Sequence, residues 1–378
     1  MNTDEKNLFE FDDEENQSEF EEKDEKDIKS PFDPKEIKIA VEPKTIDSLV
    51  ARITNDEIDL FTEFQRKGNL WTPDTQSRLI ESLLLRFPLP AFYFDATDDD
   101  KWKVVDGLQR LWSLKNFIVD KSEKRLLLTG LEILKDEEFH NSDFDSLNRK
   151  MQRRILETQV TTYLIQPGTP KHVKYNVFRR INTGGLILTS QEIRHALNQG
   201  KPANFLKRIS ENIKFNSIIR VPDKRMQDCE LILRYLAYVI KDYSEYEKPM
   251  ATFLDRAMEE LNNKSDKVLE QYELGLYSAI MLSQNLFGDD MFSRSIVSSK
   301  HRRKLNMALF EVWTSILAKL TESEKQKITL NKEKLLADYR ALFSEPAFNA
   351  SISSSTSGKG NVTERFTQIS NLVKKYKV

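Results

Sequence analysis

The chain has 378 residues, 39% of them apolar and 31% charged, with a formal net charge of −2. This is enough apolar material for a buried core and enough length for two domains. One cysteine, Cys229, and four scattered histidines exclude an internal disulfide framework, leave little for a zinc cluster, and fit a reducing compartment. No uninterrupted apolar stretch approaches the roughly 20 residues of a membrane span, and no basic-then-apolar leader opens the sequence. The expectation is a cytoplasmic protein with no membrane role.

The small net charge hides an asymmetry. Residues 1–29 contain 13 Asp or Glu and four Lys, a net of −9, so the rest carries +7. Such a segment cannot bury enough apolar surface to offset its ordering entropy, and like charges extend it. Residues 1–35 are therefore expected to be an acidic disordered tail. It reads either as a solubilising leader or as a docking arm that uses Phe9, Phe11 and Phe20 over a basic groove.

Next comes a block in which β-like runs alternate with helical patterns. "EIKIAV" reads as a strand and "TIDSLVARI" as a helix. "IDLFTEFQRKGNLW" is turn-like near its end, and "TQSRLIESLLLRF" is an apolar-faced helix stopped by Pro88. "AFYFD" and "KWKVVD" are strand candidates separated by the turn-forming "ATDDD". From Lys201 onward helical periodicity takes over, at 226–243, 249–263, 267–287, 303–320, 332–344 and 361–377, with a flexible loop at 351–361. The expected class is α+β: a mixed N-terminal domain over residues 36–200 and an all-helical domain over 201–378.

Three polar clusters stand out against this pattern. In "VVDGLQRLWSL", residues 104–114, Asp106 and Gly107 fall where a strand becomes a helix. The first turn of a helix presents unpaired N–H groups suited to phosphate, and a glycine lets the backbone approach. Arg110 supplies a fork of donors for phosphate oxygens, Gln109 bridges an oxygen or a water, and Asp106 holds Mg²⁺ or orients water. The plain alternative is that Asp106 caps the helix and Arg110 pairs on the surface. The second cluster is Gln65, Arg66 and Trp71, just ahead of a helix. The third, "YNVFRRINTGGLILTSQEIRHAL", carries Arg179, Arg180, Asn182 and the Gly184-Gly185 turn. It then enters a helix opened by a Thr189 to Glu192 capping box and bearing Arg194.

The order of these clusters resembles the N-terminal domain of GmrSD-type restriction systems, over roughly residues 40–200. That resemblance implies a ParB/sulfiredoxin-like fold. The family motif Asp-Gly-Gln-Gln-Arg, tied to nucleoside triphosphate binding and hydrolysis, appears here as Asp106, Gly107, Leu108, Gln109 and Arg110. The Leu108 departure implies slow or absent hydrolysis if the family's first Gln positions the attacking water. A second family pattern matches Phe178, Arg180, Ile181, Asn182, Gly184, Gly185, Glu192 and Arg194, and Gln65, Arg66 and Trp71 match a third. The resemblance implies that the three segments surround one nucleotide pocket, with Asp106, Gln109 and Arg110 as catalytic residues.

GmrSD-type proteins usually carry a C-terminal histidine-metal nuclease, which needs a His beside an Asn or Asp. His140, His172, His195 and His301 have no such partner in the sequence. The segments near 306 and 362 resemble the helical half of stand-alone members, so an effector nuclease on a separate chain is the implied partner. Basic clusters at Arg149–Arg154, Lys300–Lys304 and Lys374–Lys377 leave DNA contact open, and a homo-oligomer is compatible with the sequence.

Two functional classes follow. One is a Mg²⁺-dependent nucleoside triphosphatase that acts as a sensor in an anti-phage or restriction system. The other is a non-catalytic switch that binds nucleotide or DNA without turnover. A ParB-like partition protein is disfavoured by the lack of a helix-turn-helix signature.

Overall fold

Apolar and β-branched residues alternating with polar ones set the strands, and capped, amphipathic stretches set the helices. The computed structural model describes residues 10–11, 37–60, 71–123, 125–134, 139–181, 189–219, 226–298 and 303–378. They divide into a mixed unit, Pro31–Leu188, and a helical unit that begins at Thr189. The class is α+β, as the sequence predicts. The division falls where the Thr189 capping box starts a helix. Of the acidic tail, only Glu10–Phe11 are described; they pair in parallel with Lys304–Leu305 of the helical unit.

The mixed unit runs β1 (Ile39–Thr45), α1 (Ile46–Thr54), β2 (Ile58–Asp59), α2 (Pro73–Leu84), β3 (Phe92–Asp95), β4 (Trp102–Asp106), α3 (Leu108–Leu114), α4 (Arg149–Leu156), β5 (Gln159–Ile165) and α5 (Lys171–Ile181). A π-helical turn over Lys115–Val119 continues α3. Thr45 and Thr72 cap α1 and α2 by accepting from the N–H groups of Ser48 and Thr75, and Pro73 occupies the first turn of α2, where its missing N–H costs nothing.

The five strands are ordered β1-β5-β3-β4-β2. β5 pairs antiparallel with β1 and parallel with β3, β3 pairs antiparallel with β4, and β4 pairs parallel with β2. One face is dry: Phe92, Phe94, Trp102, Val104, Val160 and Leu164 pack with the apolar stripes of α1, α2, α3 and α4. α5 packs against β4 and buries Val173 and Phe178. Strand β5 has no counterpart among the sequence-predicted elements, although Val160, Thr162 and Leu164 are buried at period 2.

The helical unit contains α6 (Ser190–Leu197), α7 (Lys201–Ser210), α8 (Ile213–Ile218), α9 (Gln227–Ile240), α10 (Met250–Asn263), α11 (Asp266–Phe287), α12 (Met307–Leu317), α13 (Glu322–Leu330), α14 (Lys332–Leu342), α15 (Pro346–Ser351) and α16 (Lys359–Tyr376). Each of the six predicted periodic segments holds a helix, although the one expected from 303 begins only at Met307, after the Lys304–Leu305 strand pairing, and α7, α8, α13 and α15 are additional. α9 and α12 pack together and are buried nearly all round, as central helices must be. A buried ionic network joins three helices. Arg365 on α16 and Arg234 on α9 both donate to Glu311 on α12, and Arg234 also reaches Glu230. Such a cluster adds little over apolar packing but is costly to break, which favours one arrangement of the helices. Among the described residues no helix is long and apolar enough to cross a membrane.

Glu81 on α2 is buried and accepts from three successive backbone N–H groups, those of Glu132, Ile133 and Leu134, at 3.1, 2.7 and 2.7 Å. Burial works against its charge, but these donors outweigh it and hold the carboxyl below the usual carboxylate range. A depressed folded pKa contributes stability above the unfolded value of about 4.3, lost as pH falls through the folded value. Glu81→Gln should therefore lower stability at pH 7 by about 1.5–3 kcal/mol. In urea titrations the gap to wild type should persist down to about pH 4 and close below it; a gap that is constant to pH 2 contradicts this assignment.

Candidate functional site

The "VVDGLQR" segment lies where β4 runs into α3, and the backbone changes twice there. Phe94 pairs with Val104 but Tyr93 pairs with Asp106, so Val105 is an extra residue and β4 carries a bulge. A bulge re-aims the side chains that follow it. It brings Asp106 beside Tyr93 on the neighbouring strand. Gly107 then takes a left-handed φ of +98° as the N-cap of α3, and no side chain caps that helix. A Cβ at Gly107 would sit 2.6 Å from a ring carbon of Phe92 and 3.3 Å from Arg110 Nη2. The glycine is required both by its backbone angle and by the ring packed against it.

Arg110 is 8% exposed, and its two terminal nitrogens make three hydrogen bonds. Nη1 donates to the carbonyl oxygens of Pro90 and Ala91, the latter at 3.2 Å, and Nη2 donates to Asp106 Oδ2 at 2.7 Å. The guanidinium carbon stands 4.6 Å from the centre of the Phe92 ring, a cation–π contact. Burial lowers the pKa of Arg110 while the Asp106 carboxylate works the other way. Guanidinium stays charged throughout the physiological range. The plain alternative drawn from sequence therefore does not describe the turn, because Gly107 rather than Asp106 is the N-cap and the Arg110 pair is buried. The Asp106 side chain keeps 33% of its surface exposed.

Gln109 works sideways. Its Oε1 accepts from the backbone N–H of Trp71 at 3.2 Å, while Gln76 Nε2 donates to the Trp71 carbonyl at 2.8 Å and Asn116 Nδ2 to Gln76 Oε1 at 3.0 Å. The chain entering α2 is thereby pinned to α3, so Trp71, Gln109, Arg110 and Asp106 meet as expected from the sequence. Arg180 is exposed on α5. Glu192 and Arg194 lie in the helical unit. Glu192 closes the capping box by accepting from Thr189 N at 2.7 Å, and Arg194, 1% exposed, donates to Asp255 at 2.7 Å and to Gln191 at 2.6 Å. Gln65, Arg66, Asn182, Gly184 and Gly185 lie outside the described residues.

Sequence reasoning missed Tyr93 and Tyr163 beside this turn and, at the opposite end of β3, the buried Asp95–Lys174 pair. Tyr93 and Tyr163 stack with centres 4.6 Å apart and planes 8° apart. Burial, then Tyr163 and Asp106, push the Tyr93 hydroxyl pKa up, with Arg110 opposing. Lys174 on α5 donates to both oxygens of buried Asp95, at 3.2 and 2.9 Å, and to Thr97 Oγ1 at 2.9 Å. The signal was present: in "AFYFD" strict alternation puts Tyr93 and Asp95 on the face opposite Phe92 and Phe94.

Among the described residues no group of three or more His, Cys, Asp or Glu is placed to hold a metal. Asp106 alone fits an ion that brings its own ligands: Mg²⁺ is commonly held by one or two carboxylates together with substrate phosphates.

The turn yields a stability contrast. Gly107→Ala should cost at least about 2 kcal/mol, from the left-handed backbone and the displaced Phe92 ring. Gly360→Ala in α16, where an added Cβ meets nothing within 4 Å, should gain about 0.5 kcal/mol. Urea midpoints of the two variants check this, and equal effects would contradict the role given to Gly107.

Residues 46–198 match the family model described as the GmrSD restriction endonuclease, N-terminal domain. The matched segment covers the mixed unit from α1 onward and continues through α6. Comparison with curated proteins and with solved structures returns no match. Over residues 46–198, which include the Asp106-to-Arg110 turn, the chain is similar to the GmrSD restriction endonuclease N-terminal domain.

Proposed function

We propose that the 46–198 domain binds a magnesium nucleoside triphosphate at the Asp106–Arg110 turn, and that the chain acts as the sensor of a restriction-type defence system whose effector nuclease is a separate chain. The likeness of residues 46–198 to the GmrSD restriction endonuclease N-terminal domain supports the restriction-system reading. The observation that carries the nucleotide reading is the Asp106 carboxylate, one-third exposed and clamped by a buried guanidinium at a glycine turn. An exposed acid held in place by a buried cation is pre-organised and does not reorient to meet a cation.

In this reading Mg²⁺ and the phosphates supply the charge, and the chain's own residues supply position. Asp106 takes one magnesium position. Arg110 is a positioning residue in this reading: it is buried, and it holds Asp106 through Nη2 and the Pro90 and Ala91 carbonyls through Nη1. Gln109 holds Trp71 at the edge of the same site. Arg180, exposed on α5, is free to meet phosphate or DNA charge, and Arg149, Lys150 and Arg153, exposed on α4, offer a basic face to a DNA backbone.

One observation favours a binding switch over a triphosphatase. Leu108 is 4% exposed and part of the hydrophobic core, so the position where the family motif has its first Gln presents no polar group to water.

Calorimetric titration of the full chain with each of the four nucleoside triphosphates, with Mg²⁺ and with EDTA, tests the reading. At least one should bind with Mg²⁺, and Asp106→Asn should weaken that binding tenfold or more, about 1.4 kcal/mol, with little change in EDTA. Phosphate release, followed in parallel, assigns the class: none from wild type marks a switch, and release abolished by Asp106→Asn marks an enzyme. No binding of any triphosphate, or equal binding by the variant, would refute the site.

A further inference from the structure

We propose a second ligand site, in the helical unit, for a small anion that carries a flat ring, of the aryl phosphate or nucleoside monophosphate type. It does not rest on the reading of the 46–198 domain. Between α9, the Tyr243–Glu245 turn, α12 and α16 lies a cavity of about 180 Å³. It falls below the roughly 300–1,000 Å³ of sites that enclose a drug-sized ligand. One ring with one anionic group is the scale that fits, with any remainder of the molecule outside.

The walls specify the ring. Phe366 of α16, 2% exposed, stacks on Tyr243 with centres 5.0 Å apart and planes 15° apart, and packs on Tyr238 at 4.6 Å. Tyr243 is half-buried, so its ring is shared between the wall and the opening. Aromatic walls favour flat apolar groups through offset stacking, worth about 0.5–1.5 kcal/mol beyond buried area.

The rim specifies the charge. Lys319, Lys374 and Lys377 line the cavity against a single acid, Asp242. Asp242 is turned into its own loop, where its carboxylate accepts from Ser244 N at 3.0 Å and Ser244 Oγ at 2.7 Å. Lys377 is paired with Glu324 at 2.8 Å, and Lys319 donates to the Tyr238 carbonyl at 3.1 Å. Lys374 is exposed and makes no ion pair among the described residues. The excess is positive, and ammonium groups serve as point-charge partners for phosphate.

Titrating the full chain with phenyl phosphate, alongside phenol and inorganic phosphate as its two halves, tests the site. Phenyl phosphate should bind saturably at one site, tenfold or more tighter than either half, and weaken as salt is raised. Lys374→Glu, on the exposed rim, should lower that affinity tenfold or more. Ser370→Trp, which fills the cavity, should abolish it, and Asp106→Asn should leave it unchanged. Uridine and adenosine monophosphates, titrated in the same way, decide whether the ring is a nucleobase or a simple aryl group. Absence of saturable phenyl phosphate binding, binding indifferent to Lys374→Glu, or binding lost in Asp106→Asn would overturn the proposal. If Ser370→Trp fails to fold, Lys374→Glu decides alone.

Discussion

One guanidinium organises the strand-to-helix turn of the mixed unit. Arg110 sits under the Phe92 ring and joins three pieces of chain: the Pro90–Ala91 segment that leads into β3, the end of β4 at Asp106, and its own helix α3. A buried cation is tolerated only where donors and charge are matched, and here carbonyl oxygens and a carboxylate supply the match. Everything around the turn conforms to this demand. The β4 bulge brings Asp106 into reach, Gly107 leaves room for the ring, and Leu108 anchors the helix in the core.

An acid, a glycine, an amide and a guanidinium thus stand together because each holds a different neighbour. The guanidinium holds the carboxylate and two carbonyls, the amide holds Trp71 at the mouth of α2, and the glycine makes the geometry accessible. What is left facing water is one face of the Asp106 carboxylate. That division of labour moves the functional emphasis. The sequence favours an arginine gripping phosphate, whereas the geometry favours an arginine that positions an acid. Position 108 belongs to the core, and its side chain has nothing polar to offer a ligand.

Much of the fold was legible in the residues, because alternation in "AFYFD" and "KWKVVD" and helical periodicity after residue 226 are direct prints of burial. Strand β5 was harder, since its exposed Gln159 and Thr161 and its buried Thr162 dilute the apolar alternation. At the site, the meeting of Trp71 with Gln109 and Asp106 with Arg110 followed the motif order. The partners of Arg110 did not, since backbone carbonyls carry no sequence signature. Asp95 and Lys174 escaped for a related reason: they are 79 residues apart, and only the parallel pairing of β3 with β5 returns the chain to that end of the sheet. Glu192 and Arg194, which resemblance assigns to a nucleotide pocket, make capping and ion-pair contacts inside the helical unit.

Asp106 and Arg110 act as one unit in this account of the turn. A double-mutant cycle on unfolding free energy measures this directly, using Asp106→Asn, Arg110→Met and the double variant. Coupling of about 1–3 kcal/mol is the predicted result, because each single change strands the partner's charge. Effects that add to within about 0.5 kcal/mol would mean that the two residues stand side by side without supporting each other.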